Sequence, residues 1–194
     1  ESGKIEYRAC DSWPEQVSEL LMQGKIGAVA VREMEFGPRA LGHRSILALP
    51  TNKAVRERIN AEIKRRPWYQ PLCPSVLDEE RGRLFESAYL NKHMTCAFRV
   101  KSEHIEQIPA AVHFDGSSRV QFVTASDNPE FYRLLSLVKE RSGYGVLINT
   151  SFNLHGRTIV RTAKDVVVGQ RLATRVGRGT IESEVTAKHD HQED

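Results

Sequence analysis

The segment Met34–Ser45 constrains the fold more than any other, because it is incompatible with both a helix and a strand. Two glycines and a proline fall within the six positions 37–42 and interrupt both periodicities. The segment also carries Arg39 and Arg44, whose planar guanidinium groups match the oxygens of phosphate and carboxylate. It predicts a shaped loop with two open interpretations: an anion-binding loop, or a surface turn whose arginines pair with neighbouring glutamates.

The composition is that of an ordinary globular chain. Its 194 residues suit one domain, which hides about 70% of the unfolded surface. The net charge of +3 is too small to indicate a nucleic-acid partner by itself. Three scattered cysteines without a CxxC pair favour a cytoplasmic protein with no tightly held metal. No apolar run approaches the roughly 20 residues of a membrane helix, so no membrane partner is expected.

Three stretches combine helical periodicity with the residues that begin and end helices. We expect these helices at residues 12–24, 51–66 and 128–143, with weaker helical character at 79–90 and a short helix after Thr162. The second helix ends in Lys64-Arg65-Arg66, and Pro67 stops it. Cations interact favourably with the C-terminal end of the helix dipole, so the local sequence favours an ordinary charged helix end.

Short apolar or alternating runs predict the strands of a sheet. These strands are expected at residues 26–31, 46–50, 94–100, 120–124, 146–148 and 158–160. The run Cys73–Leu77 contains a proline and is expected to be an irregular or edge-strand connection. Together the elements predict one α+β (α/β) domain over residues 12–177, preceded by a linker at 1–11 and followed by a polar, disordered tail at 178–194. Because the chain begins with a glutamate, we expect it to be part of a longer protein.

Cationic or polar side chains flank predicted strands in four separate segments. They are Arg39 with Arg44, Lys64 with Arg66, Arg119, and Ser151 with Asn153, which follow Asn149 at the end of a buried strand. One such cluster is usually surface chemistry, but four beside strands favour a shared pocket for a highly anionic ligand such as a nucleoside triphosphate. The sequence has no P-loop, no GxGxxG after a strand, and no familiar hydrolase or zinc-protease motif.

Four motifs occur in order along the chain. They are EFGPRALGxRSIL at residues 35–47, INxxIKxR at 59–66, DGxxRxQ at 115–121 and NTSFN at 149–153. In this order they resemble the C-terminal domain of the bacterial O-carbamoyltransferases, the enzymes that carbamoylate antibiotics and nodulation factors. The resemblance runs from about residue 12 to about residue 165. It implies a YrdC-like fold, a twisted mixed sheet flanked by helices, as in the threonylcarbamoyl-adenylate synthases.

The resemblance also implies an activity. ATP and carbamoyl phosphate would react here to give carbamoyl adenylate and pyrophosphate, with Mg²⁺ carried by the nucleotide. A separate N-terminal domain that holds a metal would then move the carbamoyl group to an acceptor hydroxyl. The residues carried over are Lys64, Arg119 and Arg39 for the reacting phosphate groups, and Arg66, Ser151 and Asn153 for the nucleotide pocket, with Asn149 and Arg44 beside them. His113 would touch the carbamoyl end, although a lone histidine is more often structural.

Two positions depart from the usual pattern of the family. Gln70 stands where the family usually has an arginine, so one expected cation is neutral. Arg157 stands where the family usually has a glutamate, between Gly156 and Thr158. These departures bear on substrate affinity more than on the fold.

Two alternative functions stay open at this point. The first is a non-catalytic module of the same fold that binds RNA or another polyanion, for which Trp68 and Tyr69 are the candidate stacking residues. Ser151 and Asn153 favour the enzyme, because they are more useful to a nucleotide site than to a phosphate backbone. The second is a bicarbonate-and-threonine enzyme of the related synthase class, and the loop at residues 36–39 counts against it.

Overall fold

A computed structural model describes residues 12–153 of the chain and the two strands at residues 171–176 and 179–184. In chain order the helices are α1 (Trp13–Met22), α2 (Lys53–Arg58), a π-helix (Ile59–Lys64), α3 (Arg81–Leu84) and α4 (Pro129–Ser142). The strands are β1 (Gly27–Ala30), β2 (Arg44–Ala48), β3 (Cys73–Leu77), β4 (Ala97–Arg99), β5 (Ser117–Arg119), β6 (Gln121–Val123), β7 (Val146–Ser151), β8 (Arg171–Val176) and β9 (Gly179–Glu184). The strand expected at 158–160, the short helix after Thr162 and the departure at Arg157 lie outside the described residues.

A five-stranded mixed sheet, in the order β1-β2-β7-β3-β6, forms the centre of the described fold. Its neighbouring strands are antiparallel except β3 and β6, which run parallel. Strands β4 and β5 pair in a small second sheet, and β8 pairs with β9. The prediction of a single α+β domain with a mixed sheet and flanking helices is confirmed.

The central sheet is covered on both faces, because successive residues of a strand point in opposite directions. Leu147 of β7 packs on one side with Leu21 of α1 and Phe131 of α4. The next residue, Ile148, packs on the other side with Ile59 of the π-helix. Beyond this doubly buried stretch, β7 ends in polar residues, so its C-terminal end leaves the core as a polar edge.

The capping signals in the sequence correctly located the helix ends. The side chain of Asn128 accepts a hydrogen bond from the N–H of Phe131 at 3.1 Å, and Gly143 closes α4 with a φ of 81°. Asn52 caps α2 in the same way, with the N–H of Ala54 at 2.9 Å. These bonds lie within three residues of the cap, which explains why the sequence alone reveals them. None of the helices in the described part of the chain is long and apolar enough to cross a membrane.

The helix expected at residues 51–66 is present, but it changes its winding after Arg58. The last turns, Ile59–Lys64, form a π-helix, which ends at Arg65 in a left-handed conformation with φ 45° and ψ 50°. Apolar residues at every fourth position are compatible with both windings, so the sequence pattern did not distinguish them. π-Helical turns are rare and occur frequently at functional sites.

The prediction for Cys73–Leu77 as an irregular or edge connection was wrong. This segment is β3, a central strand between β7 and β6, and all five of its residues are buried. Pro74 is tolerated because the parallel pairing with β6 begins only at Ser75, so the missing N–H lies outside that ladder.

Two further elements differ from the sequence prediction. The helix expected at residues 79–90 is limited to a 3-10 turn at Asp78–Glu80 and to α3, and the positive φ of 48° at Ser87 is incompatible with its continuation. Strand β9 lies within the segment 178–194 that was expected to be a disordered tail. Its pairing with β8 satisfies backbone groups that a tail would leave to water.

Candidate anion-binding site

A cavity of about 410 Å³ lies where the end of β7 meets the end of the π-helix. Its volume is within the range of small-molecule sites. The lining residues are Pro38, Lys64, Arg65, Arg66, Gln70, Thr150, Ser151 and Asn153. The fold therefore brings together the motif at residues 59–66 and the motif at 149–153, and it adds a proline from the loop at 34–45.

Lys64 is the most enclosed cation of the cavity, with 3% of the residue exposed. Its Nζ donates to the backbone oxygen and to Oδ1 of Asn153, each at 2.9 Å, and to the backbone oxygen of Ser151. Burial and the neighbouring charge of Arg66 lower the pKa of Lys64 to about 8. All three ammonium donors are thus engaged inside the protein, and the ammonium fixes the polar end of β7.

Arg66 is oriented by Asn60, a fully buried residue of the π-helix. The Oδ1 of Asn60 accepts from Nε of Arg66 at 2.8 Å, and its Nδ2 donates to the backbone oxygens of Trp68 at 3.0 Å and Gln70 at 2.8 Å. Burial lowers the pKa of Arg66 below its ordinary value. One amide therefore fixes both the cation and the turn that follows it. Asn60 belongs to the motif at residues 59–66, but no role for it was predicted from the sequence.

The loop at residues 34–45 is organised by Glu35. Its Oε1 accepts hydrogen bonds from the N–H groups of Leu41 at 2.7 Å, His43 at 2.8 Å and Arg44 at 3.1 Å. Burial alone would raise the pKa of this carboxyl, but the three N–H groups outweigh it and the pKa lies below its ordinary value. The loop is therefore closed on itself, with Pro38 directed to the cavity.

Arg44 is used inside the same loop. Its guanidinium donates to the backbone oxygens of Val31 at 2.6 Å, His43 at 3.0 Å and Arg32 at 2.9 Å. It therefore holds the loop through carbonyl groups, which neither of the two interpretations of the loop had anticipated. Arg39 is exposed in this loop and is not among the residues that line the cavity.

Arg119 lies beside the central sheet, next to Cys73. Its Nε and Nη2 both donate to the Sγ of Cys73, at 3.2 Å each, and Cys73 is only 7% exposed. The guanidinium does not line the 410 Å³ cavity. Asn149 is also kept within the sheet, where its Nδ2 donates to Oγ of Ser75 at 2.9 Å. No role for Cys73 was predicted, since a lone cysteine carries no local signal of its contacts.

His113 belongs to a second cavity of about 670 Å³. This cavity is lined by three aromatic residues, two cations, one carboxylate, one histidine and four apolar residues: Lys53, Arg56, Trp68, Tyr69, Pro71, Ile105, Pro109, Val112, His113, Phe114 and Asp115. Burial lowers the pKa of His113, with Arg119 and Arg56 acting in the same direction against Asp115. Of the predicted site residues, Lys64, Arg66, Ser151 and Asn153 line the first cavity and His113 lines the second. The other four, Arg39, Arg44, Arg119 and Asn149, line neither of these two cavities. In the part of the chain that the structure describes, no cluster of three or more metal-ligating side chains occurs.

The comparison with known families agrees with the four motifs. Residues 18–177 match the family model described as the carbamoyltransferase C-terminus, so the chain belongs to this family and the predicted resemblance is confirmed.

Three relatives illustrate the extent of the similarity. Over 165 residues the chain is 58% identical to an uncharacterised protein of Methanocaldococcus jannaschii, a match that covers 84% of this chain and 27% of the relative. It is 39% identical over 151 residues to the 3'-hydroxymethylcephem-O-carbamoyltransferase of Streptomyces clavuligerus, with coverages of 78% and 28%. It is 35% identical over 168 residues to nodulation protein NolNO of Sinorhizobium fredii, with coverages of 85% and 25%. The chain therefore spans between 25% and 28% of the length of these three relatives.

Proposed function

We propose that this chain is the adenylate-forming domain of an O-carbamoyltransferase. It makes carbamoyl adenylate from carbamoyl phosphate and ATP, and another domain of the longer protein, which holds a metal, passes the carbamoyl group to a hydroxyl. The single observation that carries the proposal is the cavity in which Lys64 and Arg66 meet Ser151 and Asn153. The name of the Streptomyces clavuligerus relative supports the transferase class. The YrdC-like fold and the cytoplasmic location stay predictions.

The charge of the cavity suits this reaction, because both substrates are anions and repel each other. Lys64 and Arg66 offset that repulsion at a partly buried place, where charges interact more strongly than in bulk water. Arg119 stands beside this region with its Nε and Nη2 fixed by Cys73. Its Nη1 makes no hydrogen bond to any described residue, so that edge of the guanidinium is directed to a phosphate oxygen in the proposed complex.

Atom balance requires one water molecule and the release of one inorganic phosphate. In the proposed order, water first cleaves the carbamoyl phosphate, which releases inorganic phosphate and leaves carbamate. A carbamate oxygen then attacks the α-phosphorus of ATP, and the bond from this phosphorus to the oxygen of the β-phosphate breaks. Carbamoyl adenylate and pyrophosphate are the products, and Mg²⁺ held by the nucleotide's phosphate oxygens reduces the charge of the leaving group.

The experiment that tests the proposal is pyrophosphate exchange into ATP in the presence of carbamoyl phosphate. Lys64→Ala and Arg119→Ala should each lose about 2–4 kcal/mol of transition-state stabilisation. Arg58→Ala is a matched control, since Arg58 is exposed and, among the described residues, forms an ion pair only with Glu62. If both site variants keep the activity of an active parent, the reaction takes place elsewhere. If the chain alone carbamoylates an alcohol, the division between two domains is wrong.

The polyanion-binding module keeps one observation in its favour. Trp68 and Tyr69 are 65% and 67% exposed beside the cations Lys53 and Arg56 of the second cavity. Exposed aromatics next to cations suit the stacking of single-stranded bases. Titration with single-stranded RNA at several salt concentrations separates the two functions. Tight binding that weakens steeply with salt and is lost in Trp68→Ala would favour the module over the enzyme.

A further inference from the structure

Arg65 lies between Lys64 and Arg66 and lines the same cavity. We propose that Arg65 contacts the phosphate groups of the bound anion directly and is a substrate-binding residue of this site. This inference rests on the proposed function, because it assumes that the cavity receives an anion. From the sequence, Arg65 is expected only as one charge of a helix end.

The three neighbouring cations differ in how many of their donors are already hydrogen-bonded within the protein, and this difference distinguishes Arg65. The ammonium of Lys64 donates to three acceptors at the end of β7. Nε of Arg66 is occupied by Asn60. Arg65 is exposed, and its guanidinium has neither a hydrogen bond nor an ion pair with any of the described residues. Of these three cations it therefore has the most donors available to a ligand.

The backbone at Arg65 provides a second, independent observation. Arg65 ends the π-helix in the left-handed region, with φ 45°, which is unfavourable for a residue that has a Cβ atom. After α1 and α4 the chain has glycine in this conformation, Gly24 with φ 76° and Gly143 with φ 81°. At position 65 it retains an arginine instead. Arg32, Ser87 and Met94 also have a positive φ, but of these four described residues Arg65 is the one that lines this cavity. Backbone strain is frequent at functional sites, and here it coincides with a cation of the cavity wall.

A second lining residue, five positions further along the chain, supports the same conclusion. Gln70 lines the cavity as well, and it is neutral. Positions 65 and 70 belong to one continuous turn that Asn60 holds through the backbone oxygen of Gln70. An arginine at either position can therefore direct its guanidinium to the same cavity. In this chain position 65 supplies the cation.

Isothermal titration of the full chain with pyrophosphate tests the inference. We expect Arg65→Gln to weaken pyrophosphate binding about tenfold, since a charge-assisted contact is lost. Arg65→Gly should weaken binding as much while raising the resistance to denaturant, because glycine relieves the left-handed strain. The double variant Arg65→Gln with Gln70→Arg should recover most of the affinity. Arg58→Gln, an exposed arginine of α2, should bind as the parent does.

The outcomes distinguish this inference from the proposed function. If Arg65→Gln binds pyrophosphate within about twofold of the parent while Arg66→Gln loses binding, Arg65 is only a helix end and the inference is overturned. If Gln70→Arg does not restore the Arg65→Gln variant, the shared position in the cavity is wrong. If the parent chain binds no pyrophosphate, the anion site itself fails, and the proposed function falls with the inference.

Discussion

Replacing Glu35 with alanine removes the carboxylate, whose Oε1 accepts three backbone hydrogen bonds. The donors are the N–H groups of Leu41, His43 and Arg44, at distances between 2.7 and 3.1 Å. These three groups lie on the far side of the loop at residues 34–45. The loss of their hydrogen bonds would therefore open the whole loop and not only break a local contact. The loop would then keep the bonds of Arg44, the bond from the N–H of Gly42 to Oγ of Ser45 and the bond from Gln121 to the backbone oxygen of Leu41.

The magnitude follows from the burial of these donors. A hydrogen bond to a charged group contributes about 1.5–3 kcal/mol to the free energy of unfolding. Part of this loss is recovered in the variant, because a half-buried N–H can bind water instead. Leu41, His43 and Arg44 are all half-buried. We therefore expect Glu35→Ala to lower the free energy of unfolding by roughly 2–4 kcal/mol, less than the sum of three independent bonds. Glu35→Gln keeps an oxygen acceptor without the charge and should lose about half as much.

Denaturation with urea, followed by fluorescence, measures this loss. Glu33→Ala is the matched control, because Glu33 is an exposed glutamate of the same segment and accepts no hydrogen bond from the described residues. The pKa of Glu35 is lowered in the folded chain, so its contribution is complete above the ordinary glutamate pKa and is lost as pH falls through the lowered value. The stabilities of the parent and Glu35→Gln should therefore converge in acid. A Glu35→Ala variant no less stable than Glu33→Ala would refute this account of the loop.

Three further expectations concern the loop and the cations. Gly42→Ala should destabilise the fold by roughly 2 kcal/mol or more, because its φ is 110° and a Cβ would lie 2.5 Å from an aromatic ring of α4. Gly82→Ala, with nothing within 4 Å of the added Cβ, should not, and equal losses in urea denaturation would contradict the steric explanation. Pyrophosphate affinity should fall as pH rises through about 8, where Lys64 loses its proton, whereas Lys64→Arg should show no such fall in the same titrations. Cys73→Ala should weaken pyrophosphate binding by releasing Arg119, and Cys73→Ser should retain most of it. Equal affinities for these two variants would show that the sulfur does not position the guanidinium.

The parts of the fold that the sequence predicted are those with local causes. The helix ends at Asn128 and Gly143 depend on bonds within a few residues, and the helical face of α4 repeats within one turn. The position of β3 at the centre of the sheet depends on β7 and β6, which lie far along the chain. A proline in a short run is ambiguous until the partner strands are known. That is why Cys73–Leu77 was placed at an edge.

The same distinction applies to the candidate site. Lys64, Arg66, Ser151 and Asn153 were expected together because they stand at the ends of predicted elements, and the cavity contains all four. Arg44 was expected to face an anion, but its three acceptors are backbone oxygens, a type of partner that no residue pattern identifies. The sequence shows which side chains are cationic or polar. It does not show that backbone oxygens, rather than a ligand, accept the hydrogen bonds of such a cation.

None of the acceptors that orient the cations of this region is a carboxylate. Lys64 is held by backbone and amide oxygens, Arg66 by the amide of Asn60, and Arg119 by the sulfur of Cys73. A carboxylate would also orient a guanidinium, but it would cancel the charge that an anionic ligand needs. Acceptors that are not carboxylates therefore orient each cation without forming an ion pair of the carboxylate type. The ion pairs within the described residues lie on other cations, which is the distribution expected of a surface that is preorganised for phosphate groups.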